Sequence, residues 1–287
     1  NIDAADLARK ITEKSRAIIV QHTFGIAANM DPIVKLAKKH RLLLIEDCAH
    51  SLGATYKGQK VGTFGDAAFF SFGRDKIVSS VFGGVAIVRS KRLADRLSKI
   101  ERELDFPNMF WVFQQLLHPV SFAIILPLYN VFNIGKVILA TLQRLTLLSK
   151  PVDNRELLGG RPAHHPRRLP NALALLALKL LRKLERFNEH RRTIVSLYME
   201  KKLPFGYPET KNGDIFLRFP VTVKSGREKD EILDSFKKKR ILLGDWYSNV
   251  IDPRDVNLLR VEYLRGSCIN AEQAARTVIN LPTYPTF

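Results

Sequence analysis

Two residues of this chain have the type and placement to do carbonyl chemistry: Asp47, closing the apolar run of "LLLIEDC" (42 to 48), and Lys76, ending the turn in "FFSFGRDKIVSS". An amine that condenses with an aldehyde can hold it as a Schiff base, and a carboxylate can keep a pyridine nitrogen protonated so that the ring accepts electrons from a carbanion. Pyridoxal phosphate chemistry needs both groups. The plainer reading of the same pair is a solvated ion pair at two loop mouths, which contributes little. His50 carries ring nitrogens able to meet a phenolate oxygen, or is a surface loop histidine. Ser71 alternates with Phe70 and Phe72, so its hydroxyl faces away from their apolar side, whether it serves a ligand or only ends a strand.

Positioning these groups requires strands that stop where they begin. "AIIVQH" (17 to 22), "LLLIEDC" (42 to 48), "DAAFFSF" (66 to 72) and "GVAIVRS" (84 to 90) are apolar runs of strand length. Between the first two, "DPIVKLAKKH" (31 to 40) opens with Asp31 as an N-cap and Pro32 at the first helical position, then follows helical spacing. "KRLADRLSKIEREL" (91 to 104) is a charged amphipathic helix. The alternation predicts an α/β fold with a mostly parallel sheet, in which functional groups collect beyond the carboxyl ends of strands. Asp47 and Lys76 are at such ends. Cys48, next to Asp47 on the same strand, is expected on the opposite face, in the core. Further on, residues 171 to 203 read as one long helix, "DIFLRFPVTV" (214 to 223) as a strand and "GREKDEILDSFKKKR" (226 to 240) as a helix, enough for a second, smaller α/β unit.

At 287 residues the chain can bury one large core or two modest ones. Cys48 and Cys268 are too few and too far apart for a disulfide framework, which predicts an intracellular, cytoplasmic setting. The excess of 46 Lys and Arg over 28 Asp and Glu, a formal charge of +18, favours anionic partners. No Walker loop, metal-spaced Cys/His cluster, repeat or nucleic-acid motif accompanies that charge. The chain opens on Asn1 without a cationic, apolar leader and reads as the continuation of a longer protein.

The stretch "LIEDCAHSLGATYKGQKVGTFGDAAFFSFGRDKIVSSVFGG" resembles, almost position for position, the signature of the DegT/StrS sugar aminotransferases. "SRAIIVQHTFGIAANMDPIVKLAKKHRLLLIED", "RRLPNALALLALKLLRKLERFNEHRRTIVSLY" and "LRGSCINAEQAARTVINLPTYP" are similar to the family's segments before and after it. The resemblance implies a mostly parallel sheet flanked by helices, as in pyridoxal-phosphate transferases, with residues 1–105 as the later portion of the large domain and 161–287 as a long helix and a small C-terminal domain. It implies pyridoxal 5'-phosphate as cofactor, held through Lys76, with Asp47 on the ring nitrogen, His50 on the ring 3-hydroxyl and Ser71 at the phosphate. Arg168, Trp246 and Tyr247 become candidates for substrate contact. The reaction it implies moves an amino group from an amino acid, glutamate foremost, to a keto-sugar carried on a nucleotide, or on a lipid carrier, in surface-polysaccharide or amino-sugar biosynthesis, by a homodimer. The alternative is a catalytically degenerate, membrane-associated scaffold of the same fold. The chain departs from the family pattern in having Val81 and Phe82 before the double glycine, in Pro166 where an amide side chain is usual, and in lacking the upstream phosphate-binding turn.

Residues 106–160 stand outside the resemblance. From Phe106 to Gly135 there is no Asp, Glu, Lys or Arg. A membrane-spanning helix needs about 20 continuous apolar residues, and Gln114, Gln115, His118, Pro119, Pro127 and Asn130 interrupt this run. Three readings stand, a single span the least favoured of them: a spanning helix, a helical hairpin packed on the core or on the dimer mate, or an element lying in an anionic membrane surface, with Lys136, Arg144, Lys150, Arg155, Arg161, Arg167 and Arg168 at headgroup level.

Overall fold

The computed structural model describes residues 1–129, 131–149, 155, 160–162, 165–252 and 256–284; Asn130 and Lys150, named above, lie outside them. Helix α1 (Ala4–Lys10) is capped by Asp3, whose carboxylate accepts from the amides of Ala5 and Asp6, and it leads into strand β1 (Ala17–Gln21). Helix α2 (Met30–His40) and strand β2 (Leu43–Asp47) complete the first strand, helix, strand unit. A small hairpin of β3 (Thr55–Tyr56) and β4 (Gln59–Lys60) precedes β5 (Ala67–Ser71) and β6 (Gly84–Val88). β1, β2 and β5 run parallel and β6 joins antiparallel, in the order β1-β2-β5-β6.

Side-chain alternation gives this sheet two unlike faces. Ile18, Val20, Leu44, Cys48, Ala68 and Phe70 pack against Met30, Ile33 and Ala37 of α2 in the largest cluster of buried apolar residues. Met30 and Ile33 are wholly buried, and a fully buried side chain of that size stabilises by roughly 1.5–3 kcal/mol. The other face carries Gln21, Asp47 and Ser71 together with Ile19, Leu43 and Phe69, and those three apolar side chains are exposed. Asp31 is not the cap of α2. The helix starts two residues earlier, after Asn29, and Asp31 pairs with Lys57 instead.

After β6 come α3 (Lys91–Glu103), α4 (Met109–Leu128) and α5 (Ile134–Arg144). α4 and α5 form a hairpin, closest at Gly135, where a Cβ would lie 2.4 Å from the carbonyl oxygen of Ile125. The polar and proline positions do not interrupt α4, which runs on through Pro119 and into Pro127. An interior proline costs about 3 kcal/mol of helix stability. Pro127 sits in the last turn, and packing of Val112, Gln115, Ser121 and Ile125 against the protein offsets the cost at Pro119.

The expected single helix over 171–203 is two, α6 (Asn171–Leu181) and α7 (Leu184–Glu200). A tight turn at Arg182 and Lys183 separates them, closed by the Lys183 amide donating to the Leu180 carbonyl at 2.9 Å. The turn lets Leu180, Leu181 and Leu184 all reach the cluster around Phe72, Val78 and Ala177. The strand expected over 214–223 is confined to β7 (Phe219–Thr222), because Asp214 folds back to accept from the amides of Ala27 and Lys211 and Phe216 adopts φ 52°. Helices α8 (Gly226–Lys238) and α9 (Ile269–Thr277) then lead to β8 (Val278–Leu281), antiparallel to β7, around Val195, Phe219 and Ile279.

Candidate functional site

Asp47 ends β2, and parallel pairing sets Gln21 of β1 beside it. The Gln21 side-chain amide donates to Asp47 Oδ2 at 3.0 Å and the Ala49 backbone amide to Oδ1 at 3.0 Å. Among the described residues Asp47 makes no ion pair within 4 Å. An ionised carboxylate has about four lone-pair sites, so it keeps capacity for one more donor. That is the capacity a protonated ring nitrogen would use.

Lys76 follows β5 by five residues. Its amide donates to the Gly73 carbonyl at 3.2 Å, and the next two side chains, Ile77 and Val78, are buried in separate apolar clusters. The backbone is thereby pinned while the amine points back to the site. Lys76 Nζ is 3.9 Å from Asp75 Oδ1 and 5.7 Å from the ring centroid of Trp246. Burial pulls its pKa below the usual lysine range, the Asp75 and Asp47 carboxylates resist that shift, and the Arg218 cation adds to it. A lysine so shifted has more free amine at neutral pH than one in water, as Schiff-base formation demands. Ser71, at the head of the same turn, accepts from the Gly73 amide at 3.2 Å.

His50 is buried between the two halves. The Phe24 amide donates to its Nδ1 at 3.3 Å, which fixes the other tautomer, with the proton on Nε2. That N–H donates to the Tyr247 hydroxyl at 3.4 Å, and Trp246 stacks on the imidazole at 6.1 Å between centroids. Burial, then the Lys76 and Arg218 cations, push the His50 pKa down to about 3. Burial raises that of Tyr247, with Asp252, Asp47 and Asp75 adding to it. Both groups stay neutral at working pH, and His50 offers a hydrogen-bond donor rather than a charge.

The structure therefore gathers Asp47, His50, Ser71, Lys76, Trp246 and Tyr247 on one side of the sheet. Arg168 is not brought to them within one copy: its Nε donates to Glu101 at 2.8 Å and its guanidinium covers the Phe106 ring. Gln21, Phe24 and Arg218 belong to the group although no motif pointed to them. Arg218 lies 4.3 Å over the Trp246 ring, and its Nε has no partner among the described residues. A lone arginine inside the apolar run "IFLRFPV" was the available signal.

A second constellation lies beneath, on the covered face. His22, Glu46 and Cys48 have ligand atoms within 4.8 Å of one another, a spacing that suits a metal ion, but those atoms are already engaged. Glu46 accepts from the amides of Gly62, Phe64 and Gly65 and from His22 Nε2, and the Ala28 amide donates to His22 Nδ1. Burial raises the Glu46 pKa, yet these donors together hold it below the ordinary carboxylate range. Burial pushes the Cys48 thiol up to about 12, as befits a core cysteine. Glu46, bonded to His22, fixes the loop over Gly62, where φ is 87° and only glycine is unstrained.

The shift at His50 predicts a pH dependence. Its folded pKa lies below the unfolded value of about 6.5, so the unfolded chain binds more protons in between. The stability it contributes is complete above pH ~6.5 and is lost as pH falls toward 3. By pH 4.5 the loss from this one site is about 3 kcal/mol. In urea unfolding at pH 7 and pH 4.5, His50→Gln should lose less stability than wild type by that margin. Equal losses in the two proteins would mean that His50 is not held neutral by its surroundings.

GDP-perosamine synthase of Caulobacter vibrioides is 40% identical over 112 residues, 39% of this chain and 30% of that protein. GDP-perosamine synthase of Escherichia coli O157:H7 is 43% identical over 95 residues, 33% of this chain and 26% of that protein. The matched part of this chain thus spans less than a third of either relative. The Helicobacter pylori PseC structure, an aminotransferase involved in the biosynthesis of pseudoaminic acid, aligns with a TM-score of 0.71 over 99% of this chain and 66% of that one, at 21% identity, a likeness of fold. The sequence profile of the DegT/DnrJ/EryC1/StrS aminotransferase family matches residues 1–103 and 153–287, leaving out only the apolar hairpin and its flanks, and the chain belongs to that family.

Proposed function

We propose that this chain carries the reaction centre of a pyridoxal-phosphate-dependent aminotransferase that moves an amino group from an amino acid, glutamate foremost, to a keto-sugar linked to a nucleotide, working as a homodimer. The observation that carries the reading is the sharing of one sheet face by a carboxylate with spare acceptor capacity, Asp47, a desolvated amine, Lys76, and a neutral N–H donor, His50. Family membership and the names of the relatives, which include a GDP-linked product, support the substrate class.

The donor set fits the cofactor: Lys76 would hold its aldehyde, Asp47 its ring nitrogen, His50 its ring hydroxyl and Ser71 its phosphate. When bound, pyridoxal phosphate supplies the electron sink that acidifies the hydrogen on the substrate's amine-bearing carbon. Lys76, once free, takes and returns that proton through Nζ, aided by its lowered pKa. Asp47 keeps a negative charge where a ring cation needs one, with Gln21 and Ala49 fixing its orientation. Trp246 and Tyr247 wall the site beside Lys76 and His50 and limit the entry of water. Arg218, charged and without a partner at its Nε among the described residues, suits an anionic group of a substrate.

The reading extends to location. The hairpin of α4 and α5 suits attachment to the cytoplasmic face of an anionic membrane: α4 is long and apolar enough to cross a bilayer by length and composition alone. Val112, Gln115, Ser121 and Ile125 face the protein, however, while Met109, Phe110, Phe113, Val120, Ile124 and Leu126 are exposed. Arg167 and Arg168 are engaged by Asp105 and Glu101, so Lys136 and Arg144, on the hairpin itself, carry the attraction to headgroups. A visible absorption spectrum tests the central claim. Full-length protein with added pyridoxal phosphate should show a protein-bound chromophore that L-glutamate converts; no such band at saturating cofactor would sink the aminotransferase reading.

A further inference from the structure

The hairpin lies outside the stretches that define the family, yet it grips the turn that ends on Lys76. In an apolar helix, α4 buries one amide completely, Gln115. Its Nε2 donates back to the Trp111 carbonyl at 3.2 Å, and its Oε1 accepts from Ser149 Oγ at 3.2 Å and from Arg74 Nη2 at 3.4 Å. Arg74 also donates to the Ser149 carbonyl at 2.9 Å and to the Ser149 hydroxyl. One guanidinium, two residues before Lys76, thus ties the entry of the hairpin at Gln115 to its exit at Ser149. Among the described residues no acid faces Arg74, and His118, which burial and then the Arg74 charge keep neutral with a pKa of about 4, lies on α4 with Gln115. The guanidinium is held by the hairpin's neutral oxygens alone. Charge complementarity names the outer partner: the sequence from Phe106 to Val152 has no acidic residue, and its charges are Lys136, Arg144 and Lys150.

We infer that Arg74 is a positioning residue through which seating of the hairpin on an anionic bilayer tightens the Lys76 turn and raises the rate of amino transfer. The inference rests on the reading that Lys76 is the reacting amine and that the hairpin meets lipid. A surface can shift a site only through contacts that differ between its two states, and such coupling is reciprocal. If lipid favours the ordered turn, loading of Lys76 with pyridoxal phosphate must strengthen lipid binding by the same factor.

The experiment uses full-length protein and vesicles of phosphatidylcholine with or without phosphatidylglycerol. Flotation reads attachment, peptide mapping after borohydride reduction reads the loaded lysine, and single-turnover conversion by L-glutamate reads rate and half-saturation separately. The expected result is flotation with the acidic vesicles, a rise of about fivefold or more in limiting rate with half-saturation for L-glutamate unchanged, and a gain in vesicle affinity on adding cofactor that equals the gain in cofactor affinity on adding vesicles. Gln115→Leu should still float and still load Lys76, with its basal rate kept, but should lose both the stimulation and the gain in affinity. Should that variant fail to fold, Ser149→Ala removes the hydroxyl that bridges Arg74 and Gln115, leaves the bond from Arg74 to the Ser149 carbonyl, and is expected to reduce both effects. Wild type that floats and loads at Lys76 without any change in rate overturns the coupling while leaving the reading beneath it intact. A stimulation that survives in both variants overturns the role of Arg74. Wild type that stays off acidic vesicles refutes the membrane partner itself, and a load on another lysine refutes the reaction centre; either removes this proposal as well.

Discussion

Lys76→Ala should lose amino transfer by about 10⁴-fold, since it removes both the amine that holds the cofactor and the group that moves the substrate proton. Borohydride reduction of the loaded wild type should leave a pyridoxyl group on the peptide containing Lys76 and on no other. The variant should lose the adduct and keep its melting temperature within a few degrees, because Ile77 and Val78, rather than the Lys76 side chain, fix the turn in the core. An adduct elsewhere, or none in a saturated sample, would support the alternative of a fold that has kept its shape and lost its chemistry.

Asp47→Asn should be nearly as severe for the reaction and much milder for binding. The Asn oxygen can still accept from the Ala49 amide, and the Gln21 amide can turn to meet its new neighbour, so the strand end keeps its form. What disappears is the negative charge. Removing one well-placed electrostatic group from a reaction centre costs about 10²–10³-fold in rate, and here the whole electron sink depends on it. The half-reaction with L-glutamate, followed by absorbance, should slow by about 10³-fold while the protein still loads at Lys76. Near-normal turnover in Asp47→Asn would remove Asp47 from the reaction.

Asp47 and Ser71 were legible in the sequence because their positions obey alternation, and Lys76 because a charged turn closes on it directly after an apolar strand. Asp47 ends β2 and Cys48 follows it in the same extended line, so one faces the site and the other the core, and Ser71 between Phe70 and Phe72 follows the same rule. What alternation cannot show is which residues of distant segments meet. Phe24 reaches His50 through a turn at φ 58°, and Arg218 joins Trp246 only because the chain before β7 is bent at Phe216 and does not extend as a strand. Helical periodicity likewise ran straight through Arg182 and Lys183, since nothing in the residue types there forbids a helix; three leucines seeking one cluster bend it. In α4 the error was the reverse. Gln115 reads as an interruption when its cost is counted without Arg74 and Ser149, the partners that the folded chain supplies, and Pro119 when it is counted without the packing of Val112, Ser121 and Ile125.

The sheet ends on one side in β6, whose Val85 and Ile87 are both exposed and whose outer backbone edge pairs with no other strand among the described residues. Such an edge is a template for adding a strand from another molecule. The chain sets Arg89, Lys91 and Arg92 immediately after it, and like charges at close approach hold two such edges apart. That protection is electrostatic and so has a range: at 0.1 M salt repulsion reaches about 10 Å, and at 1 M about 3 Å. Concentrated salt therefore works against the chain's solubility, and purification is best carried out in dilute buffer, where its high positive charge keeps the molecules dispersed.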